Sequence, residues 1–147
     1  IGLGSCVGTL LFDPHNGVGA LAHVMLPEPH SDDVAHMPGK YATTAVPALL
    51  QELGTTAASR LKAILIGGAE VFLNRESTLR IGERNVETLS RLLRNLRITI
   101  AFSDVGGHKG RSFEFDLTTT ELTVRIVGQV SQTYDLSWAL GRQTAAA

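Results

Sequence analysis

The stretch that decides the fold reads VGTLLF at residues 7–12, DPHNG at 13–17 and VGALAHVM at 18–25. Two apolar runs of strand length flank a segment that is dense in turn-forming residues, and this is the pattern of a β-hairpin. Cys6, the single cysteine of the chain, comes directly before the first run. The hairpin therefore carries the most reactive side chain of the sequence at its open end.

Folding the hairpin brings a second reactive side chain towards this cysteine. A turn centred near His15 places Cys6 opposite a residue between His23 and Met25. A register slip of one residue would turn His23 to the other face of the sheet, because side chains alternate along a strand. The pattern permits a pair of Cys6 and His23 and leaves its geometry open.

Two amphipathic helices follow. Residues 26–39 hold three prolines among polar side chains and predict a surface loop. Apolar residues recur at helical spacing from Tyr41 to Leu53, where Gly54 is placed to end the helix and Pro47 predicts a kink or a late start. The second helix runs from about residue 83 to 96. Its apolar face consists of Val86, Leu89, Leu92, Leu93 and Leu96.

The remaining apolar runs predict strands. Residues 63–66 lead into the glycine-rich segment 67–69, where the missing side chains would let the backbone approach another element or a ligand. Phe72 and Leu73 follow as expected core residues. Further strands are predicted at residues 98–102, 112–117 and 122–127.

The order of these elements is two strands, a helix, a strand, a helix and three strands. It predicts an α/β fold, a layered α/β sandwich whose sheet is mixed or mostly antiparallel. A chain of 147 residues suits one domain spanning residues 1–147. Residues 131–147 read as a C-terminal tail without recognisable chemistry, whose end at 144–147 we expect to be partly disordered. Ile1 lies inside a glycine-rich segment, so we expect further sequence upstream of it.

Composition and charge exclude several classes of function. A net charge of −1 gives no broad positive field to attract nucleic acid or an anionic membrane. The sequence has no apolar run near the roughly 20 residues that a membrane span requires, and no export signal. A single cysteine cannot form an internal disulfide, which fits a reducing compartment. We expect a cytoplasmic protein without membrane insertion or a nucleic-acid partner.

Cys6 and His23 each allow a structural and a chemical interpretation. Cys6 follows Gly4 and Ser5, where a thiolate could be exposed and backbone N–H groups could hold an oxyanion, although lone cysteines are often buried and inert. His23 alone, in an apolar strand, is typical of a half-buried structural histidine. The pairing of the two favours a nucleophile with its general base.

Three further segments are candidates for binding. A metal site formed by His30, Asp32, Asp33 and His36 stays open as an alternative, but its spacing is not that of a known site, so we expect no metal. Residues 82–85 either cap the second helix or contact a substrate, and residues 104–111 form a polar, glycine-rich loop between strands. The candidate substrate contacts are Gly4, Ser5, Gly68, Arg84, Asn85, Asp104, Gly106 and Gly107.

Six motifs together resemble the CheD family of chemoreceptor glutamine deamidases. In chain order they are GLGSC at 2–6, AHVMLP at 22–27, KYA at 40–42, GGA at 67–69, IGERNVE at 81–87 and DVGG at 104–107. The resemblance implies that Cys6 is the nucleophile and His23 its general base, in a reaction that needs no cofactor. It also implies an α/β sandwich related to bacterial toxin deamidases.

The resemblance also implies partners. At two positions the sequence cannot be matched to the family pattern or departs from it. The expected partners are the cytoplasmic domains of chemoreceptors and a CheC-type phosphatase. The third catalytic residue of the family is a threonine just before the first glycine-leucine-glycine segment, which here lies upstream of Ile1. His108 stands where the family commonly has asparagine, so a substrate contact there would differ.

Two other functions compete with deamidation. A non-catalytic interaction module could use the same cleft to bind receptors or a CheC-type phosphatase. A different thiol hydrolase, or a transglutaminase-like transferase, could resolve a cysteine thioester with an amine instead of water.

Overall fold

The computed structural model describes residues 2–30, 36–54, 58–70 and 80–140, which form three layers. A mixed four-stranded sheet lies between two α-helices and an antiparallel three-stranded sheet. The elements are β1 (Val7–Asp13), β2 (Val18–Val24), α1 (Ala42–Leu53), β3 (Lys62–Gly67), α2 (Ile81–Asn95), β4 (Thr99–Val105), β5 (Arg111–Phe115), β6 (Glu121–Ile126) and β7 (Gln132–Asp135). The predicted layered α/β architecture is confirmed, whereas Phe72 and Leu73 lie outside the described residues.

The central sheet has the strand order β2-β1-β3-β4, and β1 is buried along its whole length. Residues at alternate positions of β1 enter two different cores, so both faces of the strand are apolar. β1 and β2 pair antiparallel from Val7 opposite Val24 to Asp13 opposite Val18, which confirms the predicted hairpin. β3 is antiparallel to β1 and parallel to β4, so the sheet is mixed.

Asp13 closes the hairpin turn through several hydrogen bonds. Its carboxylate accepts from the backbone N–H groups of His15 at 3.0 Å and Asn16 at 3.4 Å, and from the Asn16 side-chain amide at 2.8 Å. Arg60 adds an ion pair at 3.2 Å. Burial alone would raise the pKa of Asp13, but these donors and the Arg60 charge together hold the pKa below its ordinary value.

Both helices cover the face of the sheet that carries Val7 and Leu11. α1 begins at Ala42, before Pro47, so the predicted late start is wrong, and Gly54 ends the helix in the left-handed region with φ 56°. Leu96 was expected on the buried face of α2 but is 38% exposed, because the helix already ends at Asn95. Within the described residues, neither helix is long and apolar enough to cross a membrane.

The second sheet covers the opposite face, where Leu10 and Phe12 pack against Leu122 and Val124. It contains a strand that the sequence did not predict: β7 pairs with β6 inside the expected tail. Leu136 and Ala139 beyond it are also buried, so residues 132–140 of the expected tail pack against the rest of the chain. The last seven residues, 141–147, lie outside the described part of the chain.

Candidate active site

Cys6 ends a segment, residues 3–6, that we call the 3–6 loop. Backbone hydrogen bonds hold its start to β5: the Leu3 N–H donates to the Arg111 carbonyl at 2.6 Å, and the Arg111 N–H donates back to the Leu3 carbonyl at 2.9 Å. The next carbonyl, that of Gly4, accepts from the Ala69 N–H at 2.8 Å. The loop is therefore bound to both of its neighbours before it reaches the cysteine.

The last two carbonyls of the loop are held in the same way. The Cys6 carbonyl accepts from the Gly68 N–H at 2.8 Å, and the Ser5 carbonyl accepts from the side-chain amide of Asn85 at 3.3 Å. Among the described residues no acceptor takes the N–H groups of Gly4 and Ser5. With its carbonyls bound inward, the loop leaves N–H groups beside the thiol that can stabilise negative charge.

The Cys6 thiol is half-buried and free. Burial raises its pKa above the ordinary value of 9.0, and a hydrogen bond from the backbone N–H of Cys6 itself offsets part of that rise. The thiol is therefore protonated at neutral pH, so that nucleophilic attack requires a base within reach.

His23 lies diagonally across the hairpin from this thiol. It pairs directly with Gly8, so the two residues share a face of the sheet. Cys6, two residues before Gly8, packs against the core cluster of Leu10 and Phe12, which is on that same face. Diagonal neighbours on an antiparallel pair are separated by roughly 7–8 Å, within reach of long or aromatic side chains. The structure therefore puts both reactive side chains on one face.

A small cavity of about 120 Å³ adjoins His23. Its walls include Leu3, Leu21 and Phe113, with Gly8 as part of its floor. A Cβ added to Gly8 would come within 2.6 Å of the Phe113 ring, so only glycine permits this packing. The His23 Nε2 atom is buried and has no hydrogen-bond partner within the described residues. An uncommitted imidazole nitrogen thus lies on the same side of the hairpin as the thiol.

Two candidate substrate contacts, Gly68 and Asn85, are buried and support the fold, although Gly68 also lines the cleft beside α2. Gly68 is buried, has φ 64° and supports α2: a Cβ on Gly82 would lie 2.5 Å from the Gly68 carbonyl oxygen. Asn85 is fully buried, and its side-chain amide donates to the Ser5 and Met25 carbonyls, both at 3.3 Å. Both donors of this side chain are therefore engaged within the fold, and the substrate contact expected of Asn85 stays a prediction.

The other candidates lie at the surface or in the loop after β4. Arg84 is exposed and forms an ion pair with Glu28 at 2.8 Å. Asp104 accepts from the Arg111 Nε atom at 3.0 Å, and the Gly106 carbonyl accepts from another nitrogen of that guanidinium at 2.7 Å. The loop is held in shape by a buried arginine that the sequence analysis did not single out.

A cleft of about 550 Å³ opens beside that loop. Gly106 and Gly107 line it together with His108, whose Nδ1 atom lies 3.1 Å from the Glu70 carbonyl oxygen. Glu83 and Glu87 of α2 complete an acidic wall. Neither Cys6 nor His23 lines this cleft, so the structure does not bring these residues and the cysteine into one cavity.

The suggested metal site cannot be assembled from the described residues. Asp32 and Asp33 lie outside them, and His30 and His36 are both exposed. Across residues 2–30, 36–54, 58–70 and 80–140, no group of three histidine, cysteine, aspartate or glutamate side chains is placed to hold a metal ion.

Sequence reasoning missed Gly8 and Phe113. An isolated glycine within an apolar strand often marks the close approach of another element, and that signal was present at Gly8. Phe113 belongs to a strand of alternating apolar residues, but no local pattern shows which strand of the other sheet it meets.

Comparison with known proteins identifies a family and several relatives that this sequence resembles. A family model described as CheD chemotactic sensory transduction matches residues 25–126. A chemoreceptor glutamine deamidase CheD from Thermotoga maritima is 44% identical over 130 residues, covering 87% of this chain and 80% of that protein. A probable chemoreceptor glutamine deamidase CheD from Pyrococcus abyssi is 45% identical over 134 residues, covering 88% and 82%. Another from Desulforamulus reducens is 38% identical over 132 residues, covering 87% and 80%.

Proposed function

The chain belongs to the CheD family, and from this premise we propose that it deamidates glutamine side chains of chemoreceptors, with Cys6 as nucleophile and His23 as general base. One observation carries the assignment of residues. The carbonyls of the 3–6 loop are bound and the N–H groups of Gly4 and Ser5 have no acceptor among the described residues, and the half-buried thiol at the end of the loop shares a face of the hairpin with an uncommitted imidazole nitrogen.

The first half of the reaction forms a thioester. His23 accepts the thiol proton, and the Cys6 sulfur attacks the side-chain carbonyl carbon of glutamine. The carbonyl oxygen takes up negative charge, which the N–H groups of Gly4, Ser5 and Cys6 stabilise. When this tetrahedral intermediate collapses, the bond to nitrogen breaks. His23 returns its proton to the departing group, so ammonia leaves and an acyl group stays on Cys6.

The second half hydrolyses that thioester. His23 now accepts a proton from water as the water oxygen attacks the acyl carbon, and the same N–H groups hold the oxyanion again. Collapse breaks the bond between carbon and sulfur, and the proton on His23 passes to the Cys6 sulfur. The products are a glutamate side chain and the original thiol. Each proton taken by His23 is returned within the same half-reaction.

The raised pKa of Cys6 suits this sequence of steps. An isolated thiolate would form only at high pH in this half-buried position, because burial disfavours its charge. A base that removes the proton during attack avoids that cost. The buried, unpartnered Nε2 atom of His23 is a suitable acceptor, since no other hydrogen bond within the described residues has to be broken first.

Three finer expectations belong to the same proposal. A CheC-type phosphatase as a further partner rests on the family resemblance. A cytoplasmic location is supported by the proposed substrate and by the single cysteine. A common fold with bacterial toxin deamidases is consistent with the observed layers of helices and sheets.

The test is mass spectrometry of a chemoreceptor cytoplasmic fragment incubated with this protein or with its Cys6→Ser variant. The proposal predicts ammonia release and a small mass gain at particular glutamines with the unmutated protein alone. A labelled primary amine added to the reaction separates hydrolase from transferase, because its incorporation would identify an amine as the acceptor. Receptor binding without conversion by either protein would contradict the proposal and favour an interaction module.

A further inference from the structure

We propose that Asn85 is a positioning residue that holds the 3–6 loop and the end of β2 in a fixed relation, and so sets the spacing of Cys6 and His23. This inference rests on the proposed function for the roles of those two residues. It assigns to Asn85 a task that differs from the substrate contact expected from the sequence.

The hydrogen bonds of Asn85 connect the two segments directly. Its side-chain nitrogen carries two N–H donors, and it lies 3.3 Å from the Ser5 carbonyl oxygen and 3.3 Å from that of Met25. Ser5 precedes the nucleophile by one residue, and Met25 follows His23 by two. One amide group therefore bridges the backbone on which each reactive side chain is carried.

The bridge lies where the backbone pairing of the β1–β2 hairpin ends. The ladder between β1 and β2 ends at Val7 opposite Val24. Continuing that register would place Cys6 opposite Met25, but no backbone pairing between them is present. Asn85 supplies the connection instead, just past the last paired residues.

Among the described residues, the Asn85 side chain is the one donor bound to the Ser5 carbonyl. The carbonyls of Leu3, Gly4 and Cys6 are each bound by a backbone N–H, whereas the Ser5 carbonyl is bound by the Asn85 side chain. Met25 is fixed on its other side, where its N–H donates to the Lys40 carbonyl at 2.8 Å. Loss of Asn85 would therefore free the loop beside the thiol while most of the remaining hydrogen bonds persist.

The placement of α2 makes Asn85 a rigid anchor. Gly82 lies against Gly68, the residue whose N–H binds the Cys6 carbonyl, and Leu89 is buried one turn after Asn85. The Asn85 Oδ1 atom is buried without a hydrogen-bond partner among the described residues, which costs free energy. An apolar residue would avoid that cost, so the presence of an amide points to a role beyond packing.

Two variants of Asn85 test the inference. Asn85→Asp keeps the shape of the side chain and removes the two donors as long as the carboxylate is ionised, and Asn85→Ala removes the amide altogether. A misplacement of about 1 Å at a reacting group can slow a reaction on the order of 100-fold. We expect kcat to fall between roughly 10-fold and 100-fold in both variants. KM for the receptor fragment should stay within about twofold, since a positioning residue does not contact the substrate.

Leu89→Ala is the matched control, because it loosens the same helix at an apolar side chain that forms no hydrogen bond to either segment. Rates are compared below the melting temperatures of all variants. The inference expects kcat of Leu89→Ala within about twofold of the unmutated protein despite a comparable loss of stability. Equal losses of kcat in the control and in the Asn85 variants would overturn it, as would an Asn85→Asp protein with unchanged kcat.

Alkylation of Cys6 with iodoacetamide gives a readout that is independent of deamidation, since the chain has no other cysteine. If His23 assists Cys6, the His23→Gln variant should reach a given alkylation rate only at a higher pH. The Asn85 variants should move the profile in the same direction, and an unmoved profile would count against positioning. If the unmutated protein converts no glutamine, the proposed function fails, while the alkylation profiles still decide the role of Asn85.

Discussion

The two ends of the β1–β2 hairpin differ in whether their polar groups have hydrogen-bond partners. At the closed end the Asp13 carboxylate is 2% exposed and is bound by two backbone N–H groups, an amide and Arg60. At the open end the Cys6 thiol has no side-chain partner within the described residues, and the buried His23 Nε2 atom has no hydrogen bond. The hydrogen bonds of the closed end support the fold, whereas the groups without a partner at the open end are available to a substrate.

The pKa directions follow the same division. Although burial raises the pKa of Asp13, its donors and Arg60 prevail and lower it, whereas burial prevails at Cys6 and raises the pKa of the thiol. A group whose charged form is stabilised contributes to stability, and a group whose charged form is disfavoured is poised to react only when a base assists. Variants at the two ends should therefore separate activity from stability.

Removal of the nucleophile should have the largest effect. Cys6→Ala is expected to lower the deamidation rate by about 10³-fold or more, because no other thiol can form the acyl intermediate. Its free energy of unfolding should change by less than about 1 kcal/mol, since the thiol makes no side-chain hydrogen bond among the described residues. Steady-state kinetics and urea unfolding of the same preparation measure both quantities. A large loss of stability would show that Cys6 supports the fold as Asp13 does, and would contradict the contrast between the two ends.

Removal of the base comes next. His23→Gln should lower kcat by about 100-fold or more, because general-base catalysis contributes on that order. KM for the receptor fragment should change little. The remaining activity should rise with pH, since the thiolate then has to form without help. A variant that keeps its kcat at neutral pH would show that another group accepts the thiol proton.

At the closed end the effect should be on stability alone. Asp13→Ala is expected to lower the free energy of unfolding by about 2 kcal/mol, because it leaves buried donors without an acceptor. The exposed Asp116 makes similar turn hydrogen bonds to Thr118 and Thr119, so Asp116→Ala is the matched control and should lose less stability. Both variants should retain kcat. A fall in kcat for Asp13→Ala would connect the turn to the chemistry.

Acid titration sharpens this prediction. The folded-state pKa of Asp13 lies below its ordinary value of 3.8, so its contribution is present above that pH and is lost as the pH falls through the folded pKa. Urea unfolding of the unmutated protein should therefore show a loss of stability in this acidic range that Asp13→Ala lacks. Parallel pH profiles for the two proteins would contradict the assignment.

The raised pKa of Cys6 predicts slower alkylation in the folded chain. Thiolate grows as the pH rises through the thiol pKa, so folded Cys6 should reach a given rate with iodoacetamide at a higher pH than the same chain unfolded in urea. By linkage the folded state loses stability as the pH rises above the ordinary thiol value towards the folded pKa. A folded protein that reacts at lower pH than the unfolded chain would refute a raised pKa.

The smallest effect is expected at Thr9, between the two ends and on the other face of β1. Its hydroxyl is fully buried and has no hydrogen-bond partner within the described residues. Thr9→Val removes that unpaired group at nearly constant shape and should raise the free energy of unfolding by about 1 kcal/mol without changing kcat. Differential scanning calorimetry would record this as a higher Tm. A lower Tm would show that the Thr9 hydroxyl has a hydrogen-bond partner.

Local patterns predicted the hairpin well and its chemistry only in part. The two apolar runs and the turn residues between them are short-range signals, so β1, β2 and their antiparallel pairing followed from the sequence. The face shared by Cys6 and His23 did not, because a one-residue change in turn geometry reverses it. β7 was missed because Gln132–Asp135 is short and mostly exposed, and it pairs with β6 without an alternating apolar pattern of its own.

Asn85 shows that one residue can fit two interpretations. Its motif near the start of α2 predicts a substrate contact, whereas its hydrogen bonds support the positioning role proposed above. Its spacing of four and eight residues from Leu89 and Leu93 places it on the buried face of the helix, and that signal was available in the sequence. The carbonyls of Ser5 and Met25 that it binds are distant in sequence, so only the folded structure reveals the bridge.

The central claim is that the open end of the hairpin uses Cys6 to carry the acyl group of a glutamine side chain. Acid quenching of this protein during turnover with a receptor fragment, followed by peptide mass spectrometry, tests it most directly. The account predicts a fraction of Cys6 joined to a receptor peptide, a fraction that increases when His23→Gln slows hydrolysis more than attack. If glutamates accumulate while Cys6 is never acylated, and prior alkylation of Cys6 leaves their rate unchanged, the thiol is not the nucleophile.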